Sequence, residues 1–250
     1  MFIYRCGIRI GTPTSPYKFT RLPFGLYAKT GDESTIIEAL ATHYVSVNTS
    51  IPVPTVLDIA KDRIGTLFLM TQVPGTPPYE IGGLDRVSPE QLSVFANTMR
   101  DWLSQLQSLP PPTNGSICGL LGGDFLSYRI AYPSRVGPFE SQDIFHGKMF
   151  CTLRPSANPA IVALAQSVRR KRYRMCFTHG DLSPDNILVD DHFRPVGLVD
   201  WQCAPEYWDF TTLWRRQRYL SWFNAFKSVF PEYEDELTIE MELWKTICPF

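Results

Sequence analysis

Apolar positions recur with helical spacing in two long stretches of the chain. Over residues 33–47, Ile36, Ile37, Leu40, Tyr44 and Val45 fall on one face, and the spacing predicts a helix that also carries Glu38. Leu92, Phe95, Met99, Leu103 and Leu106, with Trp102 beside them, form a second stripe. Ser88 is placed to cap that helix, Pro89 suits its first turn, and Gln91 can reach back as in a capping box. Pro110, Pro111 and Pro112 stop it. Elsewhere the pattern shortens to runs of strand-forming residues. Residues 22–29 read as a strand ending on Lys29. Residues 55–60 and 66–70 read as two strands about a turn at Asp62 and Arg63, after the break at Pro52, Val53 and Pro54. Residues 174–178, 187–189 and 196–199 read as three more, the last two joined by a turn over residues 190–195.

Composition adds bounds. The chain has 250 residues, of which 44% are apolar and 20% charged, enough for a globular protein of two lobes. A formal net charge of -1 gives no reason to expect nucleic acid or an anionic membrane as partner. No apolar run approaches membrane-spanning length. Six scattered cysteines without a close pair argue against a zinc site or a stapled secreted fold. The expected location is therefore cytoplasmic. Residues 118–150, rich in Gly, Pro and aromatics, predict loops and a short helix. The basic run from Arg169 to Arg174 reads as a solvated linker or as an anion-binding patch. The aromatic residues Trp201, Trp208, Phe210, Trp214, Tyr219, Trp222 and Phe223 are expected mostly in the core. Glu232, Glu234, Asp235 and Glu236 suit a helix start or a cationic ligand.

The candidate chemistry lies in His179-Gly180-Asp181-Leu182-Ser183-Pro184-Asp185-Asn186, followed by a strand and then Asp200-Trp201. Each polar residue has an ordinary reading: Asp181 caps a turn, Asn186 holds a loop, Asp200 ends a strand. Together their order and spacing match what phosphoryl transfer from a magnesium nucleotide needs. One carboxylate orients a hydroxyl and accepts its proton, while an amide and a second carboxylate hold the metal. Strand ends on either side of a loop aim three side chains at one point with little entropic cost.

With these residues the chain resembles the aminoglycoside phosphotransferase and choline kinase group, and within it a fungal branch. The likeness rests on His179-Gly180-Asp181, Asn186, Asp200-Trp201, and the stretches at residues 48–54, 177–190 and 201–208. Gly180 and Trp201 stand where protein kinases usually carry Arg and Phe, which favours a small-molecule enzyme. The resemblance implies an α+β, two-lobed protein-kinase-like fold: a small nucleotide-binding lobe over residues 1–72, with a sheet and one helix, and a larger, mainly helical lobe over 73–250. It implies ATP and Mg2+ as cofactors and a small-molecule hydroxyl as acceptor. Asp181 becomes the catalytic base, Asn186 and Asp200 the metal ligands, and His179 a support of the loop. Lys29 pairs with Glu38 to steady the nucleotide phosphates. Backbone groups of Thr71 and Val73 hold the adenine, and Met70 lines its pocket.

Some of these residues keep a second reading. Lys29 and Glu38 also read as surface charges, and Met70 as plain core. Gly7 and Gly11 fit a phosphate-covering loop or an ordinary turn. The prolines between Thr12 and Tyr17 are poor material for a central strand. The competing function is a degenerate kinase-fold module that binds a nucleotide or a protein without catalysis.

Overall fold

The computed structural model describes residues 11–14, 19–63, 65–83, 87–110, 115–127, 130, 135–151, 158–204 and 231–244. The N-terminal part is a five-stranded antiparallel sheet in the order β1 (Thr12–Pro13), β2 (Phe19–Leu22), β3 (Leu26–Gly31), β5 (Gly65–Thr71) and β4 (Val56–Asp62). Helix α1 (Ser34–Asn48) follows β3. The remaining described elements are mainly helical: α2 (Pro89–Gln107), α3 (Gln142–Phe150), α4 (Pro159–Arg170) and α5 (Glu234–Trp244). Two small hairpins accompany them, β6 (Phe125–Leu126) with β7 (Arg135–Val136), and β8 (Ile187–Val189) with β9 (Pro195–Leu198). This is the kinase-like α+β arrangement that the resemblance implies. Among the described residues no helix is long and apolar enough to cross a membrane.

Helix α1 is wedged between the two parts. Ala39 faces the sheet with Phe68 and Met70. Ala41 and Val45 face the main core, among Phe95, Met99 and Leu103 of α2 and Leu198 of β9. The small residues on this helix let it approach both layers, so its position is set from two sides. Its first turn is satisfied by Asp32, whose Oδ1 accepts the Ser34 N–H at 2.8 Å. The capping box of α2 is present in full: Ser88 Oγ accepts the Gln91 N–H at 3.2 Å, and Gln91 Oε1 accepts the Ser88 N–H at 2.9 Å.

The strand expected over residues 22–29 is two strands. Pro23–Gly25 forms a tight turn with Phe24 at φ 64° and Gly25 at φ 68°. Two successive left-handed residues match the twist of a hairpin, so the chain reverses there and β3 starts at Leu26. Prolines at residues 13 and 16 do not prevent a sheet: β1 is a two-residue edge strand, where Pro13 needs no donor on its outer side. Residues 174–178 form no strand. Phe177 is buried against Tyr44 and Trp201, and among the described residues no strand pairs with this segment. Gln142 takes the place of one, its Nε2 donating to the Tyr173 carbonyl at 2.7 Å and its Oε1 accepting the Tyr173 N–H at 3.0 Å.

The hairpin β8–β9 is fastened to the chain just before β4 and just after β5. Leu198 N–H donates to the Pro52 carbonyl at 2.9 Å, and Thr76 exchanges two backbone bonds with Val189 at 3.0 and 2.9 Å. Gly75 lies between them at φ 114°, and a Cβ there would come within 2.6 Å of Val196 and 3.0 Å of the Val189 carbonyl. Two stability changes follow. Ser88→Ala should cost about 1 kcal/mol in urea unfolding by removing one cap. Gly75→Ala should cost more, because it adds an unfavourable φ to a steric clash. Equal midpoints for the two variants would contradict this ranking.

Candidate active site

The loop at residues 179–186 is held from inside. His179 is fully buried; its Nε2 donates to the Val199 carbonyl at 2.9 Å, and its Nδ1 accepts the Asp181 N–H at 3.3 Å. That pair of bonds assigns the proton to Nε2 and the neutral state to the ring. Burial pushes the imidazole pKa down to about 4, against the opposing pull of the Val199 carbonyl and the Asp200 charge. Trp201 packs on the ring with centroids 4.5 Å apart. Gly180 turns the loop at φ 77°, a conformation that favours glycine. Asn186 closes it, donating Nδ2 to the Asp181 carbonyl at 2.8 Å. Because only the amide nitrogen can donate, Oδ1 is left as the group this side chain presents to anything else.

The β8–β9 pairing continues to Asn186 and Val199, one residue before Asp200. Ile187 lies opposite Leu198, and the next step is the Val199 N–H donating to the Asn186 carbonyl at 3.0 Å. Asp200 then leaves β9 in the left-handed region, φ 66° and ψ 63°, which Asp tolerates better than most residues. Its Oδ1 accepts from Lys29 Nζ at 2.9 Å. Lys29 also donates to Glu38 Oε1 at 2.6 Å, and its ammonium lies 4.7 Å from the centre of the Phe19 ring.

Lys29 and Glu38 are each 3% exposed, which removes the surface-charge reading for both. Burial opposes the Lys29 ammonium, yet the charges of Asp200 and Glu38 outweigh it and raise the pKa above its ordinary value. Burial also pushes the Glu38 carboxyl up to about 8, reinforced by the Asp200 charge and only partly offset by Lys29. Two carboxylates thus compete for one ammonium, and the group as a whole has room for another positive charge.

The structure brings Lys29, Glu38 and Asp200 into direct contact, and joins Asp181 and Asn186 to them through His179 and Val199. It does not bring the three proposed adenine contacts into this group. Met70 packs in the small core with Ala39 and Phe68. The Thr71 N–H is committed to the Thr55 carbonyl at 3.0 Å, so it is not available to a ligand. Val73 packs on Gly197, where a Cβ would come within 2.3 Å of its Cγ1. Gly11 lies flush against β2, where a Cβ would meet Thr20 at 2.3 Å. Gly7 lies outside the described residues. Thr14 N–H donates to the Phe19 carbonyl at 3.1 Å, and Phe19 in turn pairs with Lys29.

The bond between Lys29 and Asp200 was not foreseen, and a separation of 171 residues carries no local signal for it. Phe19 under the ammonium had no signal either. The acidic cluster is partly neutralised: Lys171 pairs with Asp235 at 3.3 Å and Glu236 at 2.9 Å. Among the aromatics expected in the core, Trp201 is fully buried, and Trp208 to Phe223 lie outside the described residues.

Comparison with known proteins places this geometry. The family model described as phosphotransferase enzyme family matches residues 8–234. No curated protein matches the chain in sequence. Among solved structures, the chain is similar to aminoglycoside phosphotransferase APH(3'')-Id from Streptomyces rimosus in complex with ADP and streptomycin, at 19% identity and TM-score 0.59, covering 98% of this chain and 97% of that one. It is similar to the GDP complex of wild-type aminoglycoside 2'-phosphotransferase-IIIa, at 13% identity and TM-score 0.61, covering 98% and 87%. Macrolide 2'-phosphotransferase type I is a further match, at 14% identity and TM-score 0.50, covering 92% and 71%. At these identities the structures show a shared fold.

A pH dependence follows from His179. The unfolded side chain takes up a proton near its ordinary value of 6.5, whereas the folded one resists until about 4. Its contribution is therefore full above 6.5 and is lost as the pH falls through 4, in all roughly 3 kcal/mol. Glu38 acts in the opposite sense: its raised pKa adds stability as the pH falls from about 8 towards 4.5. The His179 share is isolated by subtracting the pH profile of His179→Gln from that of the wild type. The difference should fall with acid between pH 6.5 and 4; a flat difference would refute the assignment.

Proposed function

The chain belongs to the phosphotransferase enzyme family, and from that premise we propose that it transfers the γ-phosphoryl group of ATP to a hydroxyl of a small-molecule acceptor. The observation that carries this reading is the ammonium of Lys29 held between Glu38 and Asp200, with Asp200 beside the loop of Asp181 and Asn186. The ADP and GDP complexes of similar folds support nucleotide binding. The two-lobe division at about residue 72 fits a nucleotide lying between sheet and hairpin.

In this reading Lys29, fixed by Glu38, steadies the nucleotide phosphates. Asp200 and Asn186 would hold Mg2+: a carboxylate and an amide oxygen are hard donors, and the Asn186 bond to the Asp181 carbonyl uses its amide nitrogen and not its oxygen. When bound, the ion neutralises charge on the phosphates. Asp181 orients the acceptor hydroxyl and takes its proton, with His179 fixing the loop backbone from below. At the adenine end, Val73 offers backbone groups, Thr71 offers only its carbonyl, and Met70 backs the pocket. The acceptor is a small hydroxyl compound, and cationic acceptors gain little from Asp235 and Glu236, which Lys171 already engages.

One observation favours the non-catalytic module as a second reading. In the sequence, residues 12–18 contain two prolines and no glycine, unlike a flexible phosphate cover. Calorimetric titration with ATP and with GTP, each with magnesium, followed by phosphate transfer to pooled hydroxyl compounds, separates the two. Asp181→Asn should lower transfer by about 10²–10⁴-fold while nucleotide affinity stays within about twofold. Undiminished transfer in that variant would remove Asp181 from the chemistry. Tight nucleotide binding without transfer in the wild type would favour the module.

A further inference from the structure

A second charged concavity lies outside the catalytic group. Arg169 and Arg170 end α4, Arg172 follows on the chain, and with Gln166 and Asp143 they line an open depression of about 390 Å³. Three guanidinium groups face one carboxylate there. The other cations of the same run turn elsewhere: Lys171 binds Asp235 and Glu236, and Arg174 donates to the Gln107 carbonyl.

The arrangement exceeds what the helix itself needs. Arginines in a last turn are favoured by the helix dipole, which accounts for Arg169 and Arg170. It does not account for the other two features. Arg172, beyond the helix, is held in a fork by Asp143, with Nη1 to Oδ1 at 3.0 Å and Nη2 to Oδ2 at 2.9 Å, so its plane is set and its remaining N–H groups are left over. Gly147 on α3 lies where Arg169 comes to rest; a Cβ would stand 3.3 Å from Arg169 Nη2. The neighbouring helix thus leaves the guanidinium space against its backbone.

We propose that this depression is a binding site for a small phosphate-bearing anion, separate from the nucleotide cleft. Guanidinium groups match phosphate oxygens with paired charge-assisted hydrogen bonds. The volume suits a compact ligand. A nucleic acid would need a longer basic track, and the chain carries net charge -1. Asp143 lowers the affinity for the anion and keeps Arg172 in place when none is bound.

The test is isothermal titration of the whole chain with pyrophosphate, in low salt with EDTA present to suppress metal-dependent binding in the cleft. Saturable one-site binding is expected. It should weaken about tenfold or more in Arg169→Gln/Arg172→Gln, and tighten about threefold in Asp143→Asn as the competing carboxylate loses its charge. All three side-chain changes are at the surface, and thermal unfolding confirms that the variants are folded. Absence of binding in the wild type would overturn the proposal, as would binding unchanged by the arginine pair. Binding of a heparin fragment without binding of pyrophosphate would overturn it too, in favour of an extended polyanion surface.

Discussion

The structure turns on one ammonium group shared by two carboxylates. Lys29 comes from the sheet, Glu38 from the helix wedged behind it, and Asp200 from the end of β9, 171 residues along the chain. Burying such a group is not an efficient source of stability; the desolvation of three charges offsets much of their attraction. Its value lies in alignment, because each contact fixes a different element relative to the same nitrogen. A lysine alone at that depth would lose its proton, and two carboxylates alone would hold one. Together they keep the positive charge of Lys29 in place, and the raised Glu38 pKa favours a proton on that carboxyl.

The alignment would be useless on a loose scaffold. Helix α1 cannot shift towards the sheet without overlapping Phe68, or away from it without opening the core around Val45 and Phe95. On the other side, the β8–β9 hairpin is too short to be stable alone. It is completed by Pro52 and Thr76, which bond to its two outer backbones, and by glycines at residues 75 and 197 that let the strands close up. The same hairpin holds Asn186 and Asp200 at its open end. Attachment of the hairpin to the linker and attachment of Asp200 to Lys29 are therefore parts of one constraint, and the His179 bond to Val199 extends it to the loop of Asp181.

What could be read from the sequence was what repeats locally. The stripes of Ile36, Leu40 and Tyr44, and of Leu92, Phe95 and Met99, gave both long helices, and the Ser88 capping box appears atom for atom. Spacing also put Asn186 five residues after Asp181, where its amide bonds the Asp181 carbonyl. What failed depended on distant partners. Residues 174–178 have strand composition but no strand to pair with, and Gln142, 31 positions before Tyr173, takes that place. Residues 22–25 look continuous with β3, and only the left-handed pair at Phe24 and Gly25 breaks them. Gly11 packs against Thr20, a close approach that the sequence does not show.

The charges of the helical part show why composition is a weak guide to the acceptor. Four acids in five residues near α5 suggest a receptor for a cation, and five cations over residues 169–174 suggest an unstructured linker. Folding places the two runs side by side, and Lys171 crosses from one to the other to meet Asp235 and the buried Glu236. Tyr173 donates to the same Glu236 carboxylate, so that acid is doubly engaged within the protein. The cationic run, having used one member on α5 and another on the end of α2, keeps three arginines on a different face. Charge that looked like two separate binding signals is thereby divided into a structural clasp and a residual positive hollow.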